Sequence, residues 1–370
     1  MHYRIGAAIL LLSFASTVAL ARDLVVGQVV DYSGKFGEAS RDYVAGAKVY
    51  FDWINSRGGI NGMKVRHETI DAGAAKVRAG TRELLDERHA DVLFGFVGDE
   101  AVAAAAQEPE LRNGSVALVA PLAGGRAPTA ASQAIFFARP GYEAEVRQIV
   151  GHFRALQLTR FAIVRTAGEA ERSVAEQVTR ALLDNNLGAP GTHTLAANST
   201  VQARDVDAVL ALSAQALIVV ADTVPAAEFV KLYRPRDPGA NIVALSTVNH
   251  RVMFEILGPK LAHGLMITQV VPNPSLPETV LQKEHLDAIR QFRDEPPSHL
   301  TLEGFIGAKL LVEGIRKAGR QPTRQSILAA MQHLGRVDLN GMVLDLSPHG
   351  RLESAYVDLT MIRRNGDLLH

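Results

Sequence analysis

LVVGQVVDYSGKFGEASRDYVAGAKVYFDWINSRGGINGMKVRHETI, residues 24–70, reads as a strand, a helix and a second strand in succession. The run 24–30 (LVVGQVV) is almost wholly apolar and of strand length. Residues 38–55 follow a different period, because Val44, Ala47, Phe51 and Ile54 recur at spacings of three and four and so share one face of a helix. Ser56-Arg57-Gly58-Gly59-Ile60-Asn61-Gly62 then stops that helix and turns the chain, since glycine adopts the left-handed backbone angles such a turn needs. The strand 64–70 completes the strand-helix-strand unit from which parallel sheets are built.

The unit repeats outward from there. A helix at 75–88, a strand at 92–95, a helix at 99–107 and a strand at 116–120 continue the first series. A second series opens near Tyr142: helix to 156, strand 161–164, helix 169–185, strand 216–220, helix 224–233 and strand 242–245. Two such series imply two lobes of similar plan, although no residue-level repeat links them. From Pro272 the text changes: Pro272-Asn273-Pro274 and Pro277 interrupt the alternation, and helices follow at 278–292, 300–318 and 323–334. Leu302, Phe305, Ile306, Leu310 and Ile315 give the middle helix a strong apolar face; Thr323 caps the third, and Gly319 and Gly335 end the last two. The tail offers two strands, 342–346 and 356–362, separated by Pro348-His349-Gly350.

The N-terminus reads MHYRIGAAILLLSFASTVALA: a basic start with Arg4, an apolar run over 5–18, and the small-x-small triplet Ala19-Leu20-Ala21. This is the pattern of a secretory signal peptide cut after Ala21, and it is too short to span a bilayer. The chain is expected to be exported and soluble, in the periplasm of a Gram-negative cell. Cysteine is absent from the sequence, which excludes disulfides, thiolate metal sites, a Cys nucleophile and lipid attachment after the cleavage site. Lys plus Arg and Asp plus Glu are equal at 39 each, so no net field draws nucleic acid or an anionic membrane. Nucleophile-elbow, Walker, dinucleotide-binding and H-E-x-x-H motifs are missing, and the 12 histidines show no paired ligand spacing. An enzyme is therefore not expected, nor a cofactor or a metal.

Several short motifs point further when taken in order: Gly27-Gln28-Val29-Val30-Asp31-Tyr32-Ser33-Gly34; Gly46-Ala47 with Phe51-Asp52-Trp53-Ile54-Asn55; the glycine turn at 58–62; and Phe94-Gly95-Phe96-Val97-Gly98. Ala138-Arg139-Pro140-Gly141-Tyr142, Leu302-Glu303-Gly304-Phe305 and Leu359-Thr360-Met361-Ile362 follow. Together they resemble the type I periplasmic substrate-binding proteins of ABC transporters, the leucine/isoleucine/valine-binding family in its broad sense. The resemblance implies an α/β clamshell of two doubly wound parallel-sheet lobes joined by three crossings. Lobe I would hold 22–140 and 272–335, and lobe II 141–271 and 336–370. It further implies a monomeric receptor that closes on a small organic ligand, an amino acid or related compound, and presents it to ABC permease subunits. The alternatives are a sensor of the same fold coupled to signalling and, further off, a periplasmic enzyme.

The resemblance also selects ligand-binding candidates: Ser33 and Phe36 on the first loop; Asp99 and Glu100 after the third strand; Leu122, Ala123 and Gly124 after the fourth; Tyr142 beyond the crossing; and Asp222, Thr223, Thr247 and Asn249 in the second lobe. Amino-acid binders of the family place hydroxyl residues where this chain has Asp99 and Gly124, so the usual grip on a carboxylate is not expected. Asp99 has a competing role as the N-cap of 100–107. Tyr142 competes as a core residue, and Ser33-Gly34 and Ala123-Gly124 as plain turns.

Overall fold

The structure is a computed structural model and describes residues 22–73, 76–196, 200–294, 296–346 and 356–370. The expected signal peptide and the Pro348-His349-Gly350 turn lie outside these residues. The first sheet has five parallel strands, β1 (Leu24–Val30), β2 (Val65–Asp71), β3 (Val92–Phe94), β4 (Leu118–Val119) and β5 (Ile135–Phe136), in the order β2-β1-β3-β4-β5. Every residue of β1 is buried, which is why it reads as a continuous apolar run rather than an alternation. Helices α1 (Gly37–Ser56), α2 (Val77–Arg82), α3 (Asp99–Ala105) and α4 (Pro109–Arg112) connect the strands, and one π turn, Glu83–Glu87, extends α2.

The second lobe begins with α5 (Tyr142–Ala155) and runs β6 (Phe161–Thr166), α6 (Glu169–Asp184), β7 (Gly191–Leu195), α7 (Ala203–Leu210), β8 (Ala216–Val220), α8 (Thr223–Tyr233), β9 (Asn241–Ala244), α9 (His250–Ala262) and β10 (Met266–Gln269). Its strands carry apolar side chains on both faces: Ala162, Val164, Leu217 and Val219 enter one core cluster, and Ile163, Ile218, Val220 and Val243 the other. The chain then returns to the first lobe through α10 (Val280–Phe292), α11 (His299–Ala318) and α12 (Arg324–Gln332). Helix α11 packs along α1 at very close range, because a Cβ at Gly46 would strike the Thr301 carbonyl and one at Gly304 the Tyr43 carbonyl.

The C-terminal segment divides between the lobes. β11 (Arg336–Asp338) and β12 (Val343–Asp345) form a separate antiparallel pair. The side chains of Leu339, Met342, Leu344 and Leu346 enter the core of the first lobe. Residues 336–346 thus pack with the first lobe's core, beyond the residue 335 at which that lobe was expected to end. The next strand, β13 (Asp358–Ile362), adds antiparallel to β10, and β14 (Leu368–Leu369) pairs with β13, giving a seven-stranded sheet in the order β14-β13-β10-β9-β8-β6-β7. The two tail strands thus join different sheets. Among the described residues no helix is long and apolar enough to cross a membrane, and no His/Asp/Glu group is arranged to hold a metal ion.

Candidate functional site

Parallel strands deliver their C-terminal ends to one edge of a sheet, and here the two lobes turn those edges toward each other. The loops after β1, β3 and β4 face the loops after β6, β8 and β9 across a narrow cleft that encloses a cavity of only about 40 Å3. Phe36, Ala39, Val97 and Leu122 from one side and Val174, Val220, Ala221 and Leu245 from the other give it apolar walls. Lys35, Asp99, Glu100, Tyr142, Glu171, Asp222 and Thr247 supply its polar groups.

The loop after β1 is folded by its own aspartate: the Asp31 carboxylate accepts the Phe36 N–H at 3.3 Å, which lifts Lys35 toward the opposite lobe. The Lys35 ammonium donates to Glu100 on its own lobe at 3.3 Å. It stands 3.8 Å from Glu171 and 3.9 Å from Asp222 of the second lobe, and 4.8 Å from the centre of the Phe36 ring. Burial alone would lower the Lys35 pKa, but Asp222, Glu171 and Glu100 outweigh it and hold the group above its ordinary value, fully charged. Burial has the opposite outcome for Asp222, whose carboxyl is pushed up to about 6 despite the nearby lysine.

A second bridge lies deeper. The Tyr142 hydroxyl donates to Asp99 Oδ2 at 2.9 Å, and Asp99 Oδ1 accepts the Gly125 N–H at 2.5 Å. Burial and the adjacent Asp99 charge raise the Tyr142 phenol well above its ordinary value, so it stays a proton donor. The Tyr142 ring lies directly over Gly124, where any Cβ would collide with it, and the Tyr142 N–H donates to the Gly124 carbonyl at 3.1 Å.

A profile described as periplasmic binding protein matches residues 23–366. The chain belongs to the periplasmic binding protein family. Among solved structures, a substrate-binding periplasmic protein from Ralstonia solanacearum is 27% identical, with 94% of this chain and 99% of that one covered at a TM-score of 0.86. The branched-chain amino acid transporter substrate-binding protein LivJ from Streptococcus pneumoniae, solved in complex with isoleucine, superposes at a TM-score of 0.80 with 15% identity, covering 94% of this chain and 97% of its own. An ABC-transporter solute-binding protein from R. palustris, in complex with benzoate, superposes at 0.81 with 16% identity, covering 94% and 95%. No curated protein matches the chain. The type I periplasmic binding protein fold expected from sequence is thus the fold of this chain.

Of the residues expected to line the cleft of this periplasmic binding protein, Phe36, Asp99, Glu100, Leu122, Tyr142, Asp222 and Thr247 do line it. Ser33 sits outside, at the wider mouth, with its hydroxyl 3.4 Å from Asp71. Ala123 and Gly124 do not line the cavity, and Gly124 lies under the Tyr142 ring. Thr223 and Asn249 instead brace the second lobe: Thr223 Oγ1 accepts the Asn249 N–H at 3.0 Å, and the Asn249 side chain caps α9 and donates to Asp42 of the first lobe at 3.4 Å. Asp99 is not the N-cap. Gly98 holds that position with φ 94°, Asp99 is the first residue of α3, and its carboxylate turns away to Gly125 and Tyr142. Sequence reasoning missed Lys35 and Glu171. Both occupy positions that a survey of every loop and first helical turn after a strand would have collected, since those segments converge at the sheet edges.

The crossing at Arg139 carries a buried ion cluster. Arg139 is 3% exposed; its guanidinium meets Glu145 of α5 at 3.1 Å and Glu303 of α11 at 3.2 Å, and donates to the Ser246 hydroxyl. Glu145 also accepts from the Ser246 N–H at 2.9 Å and the Thr268 hydroxyl at 2.5 Å. Two carboxylates from different lobes thus share one cation. Burial, countered by Arg139 and reinforced by Glu145, pushes Glu303 up to about 7.

Proposed function

We propose that this chain is the solute receptor of an ABC importer, exported by the signal peptide at 1–21 to the periplasm, and that it delivers a small organic molecule unchanged to permease subunits. The observation that carries the reading is a cavity built from both lobes at the C-terminal ends of their strands. A solute there touches both lobes, and only such a solute favours a closed over an open arrangement. Proteins of the same fold solved with isoleucine and with benzoate support a small organic ligand, which the lobes would open to admit. In this reading residues 22–140 with 272–346 move as one lobe against 141–271 with 356–370, as a monomer that needs neither cofactor nor metal.

Mass spectrometry of small molecules released from gently purified, then denatured, protein tests the reading. Saturating solute should lower the radius of gyration in solution scattering, leave the circular dichroism spectrum unchanged, and be recovered chemically intact. A protein that retains and binds no small molecule, or converts what it binds, would overturn it.

A further inference from the structure

We infer that Lys35 is a tethered cation standing in the cleft's own cation seat, and that the solute competing for that seat is a small organic amine with an apolar body and no carboxylate. This inference rests on the solute-receptor reading of the cleft.

The first ground is charge. Glu100, Glu171 and Asp222 face Lys35, and Lys35 is the one cation lining the cavity among the described residues. The nearby Arg139 is held by Glu145 and Glu303. The wider mouth adds Asp31 and Asp71 against Lys76. An incoming carboxylate meets a surplus of negative charge, whereas an ammonium is drawn in.

The second ground is that the places an anion would occupy are filled. Helix starts attract anions through their free N–H groups and dipole. The first turn of α3 already holds Asp99 and Glu100, that of α6 holds Glu169 and Glu171, and Asp222 immediately precedes α8.

Geometry supplies the third. Lys35 reaches Glu100 closely, but it stands 3.8 and 3.9 Å from the second-lobe carboxylates, beyond hydrogen-bond range. Those carboxylates are nearly withdrawn from water, with side-chain exposures of 12% and 16%. Asp222 makes no capping bond to α8, and Glu171 Oε2 is buried with no partner among the described residues. A free ammonium, unlike a tethered one, can settle at full hydrogen-bond distance from both, with its hydrocarbon against Phe36, Leu122, Val174 and Leu245.

The test uses three probes of matched shape, 3-methylbutylamine, 4-methylpentanoate and leucine, titrated calorimetrically into the full protein. The amine should bind at least tenfold more tightly than either carboxylate. Lys35→Met should raise amine affinity about tenfold by removing the internal competitor, while Glu171→Gln and Asp222→Asn should each lower it at least tenfold, all with unchanged circular dichroism. Amine binding seen only in Lys35→Met supports the inference, since it means the tethered cation holds the seat shut. Tighter binding of 4-methylpentanoate or leucine, abolished by Lys35→Met, would overturn it by making Lys35 an anion receptor, yet leave the receptor reading intact. Binding of none of the three by either protein would also overturn it, and the retained-solute measurement then decides the receptor reading separately.

Discussion

Asp99 is a residue whose chemistry is visible in the sequence while its partners are not. A carboxylate at a helix start reads as a cap, but Asp99 reaches Gly125 and Tyr142, groups brought near only by the β4 loop and the crossing. The two roles differ in what asparagine does. A cap tolerates Asp99→Asn, whereas a carboxylate using both oxygens loses one acceptor and leaves Tyr142 or Gly125 short of a partner. We expect Asp99→Asn to cost about 1–3 kcal/mol in urea denaturation, with Tyr142→Phe costing about as much and the double variant less than the sum. Full additivity would show that the two do not interact. Asp222 sets a pH dependence at the same scale. Its carboxyl, raised to about 6, loses its charge as pH falls from 7 to 5. Amine affinity should therefore drop severalfold over that interval and reach a plateau above pH 7; calorimetry showing equal affinity at pH 5 and 7.5 would exclude Asp222 from the cation seat. Lys35 escaped notice for a related reason: its partners come from both lobes, and nothing in a turn sequence says which side chain will span a gap.

Elements were legible in proportion to the strength of their period. β1, α1 and α11 declare themselves because burial on both strand faces, or along one helix stripe, leaves a long apolar pattern. β5 and β10 do not, although β4 and β9 are as short and were expected; β10 (MITQ) is half polar, and β7 (GTHTL), also not expected, is an edge strand of mixed burial and polar composition. α9 is broken at Gly258-Pro259, where Gly258 takes φ 70°, so its period is interrupted. The α1–α11 contact was legible only as unexplained glycines. Gly46 and Gly304 make room for the facing backbone carbonyls of Thr301 and Tyr43, and a backbone cannot swing aside as a side chain can. Gly304→Ala should therefore destabilise the first lobe by at least about 1–3 kcal/mol although alanine is the better helix former. A stability equal to or above that of the parent in thermal denaturation would mean the helices separate without cost.

At the scale of the whole molecule, buried titratable groups set opposite slopes of stability with pH. His67 and His285 are lowered to about 3 and His250 to about 4, chiefly by burial, so the folded protein keeps them neutral. Unfolded, they protonate near their ordinary value of about 6.5, and each contribution is present above that pH and lost as pH falls, at about 1.4 kcal/mol per unit. Glu303 works the other way. Its folded pKa of about 7 lies above the ordinary carboxyl value, so its contribution is present at low pH and lost as pH rises through about 7. The origin is the cluster itself, in which one guanidinium serves carboxylates from both lobes, and its members at 139, 145 and 303 are too far apart in sequence to be read as a unit. Arg139→Met should be severely destabilising, by about 3–5 kcal/mol, because it strands two buried carboxylates. Glu303→Gln should instead be tolerated, and its stability relative to the parent should improve from pH 5 to about pH 7, as the parent alone acquires the surplus buried charge, and level off above that. The acid limb set by the histidines should be the same in both proteins. Melting temperatures measured across that range decide the matter: a difference between parent and Glu303→Gln that does not change with pH would show that Glu303 is ionised throughout and that the lobe junction carries both negative charges at no cost.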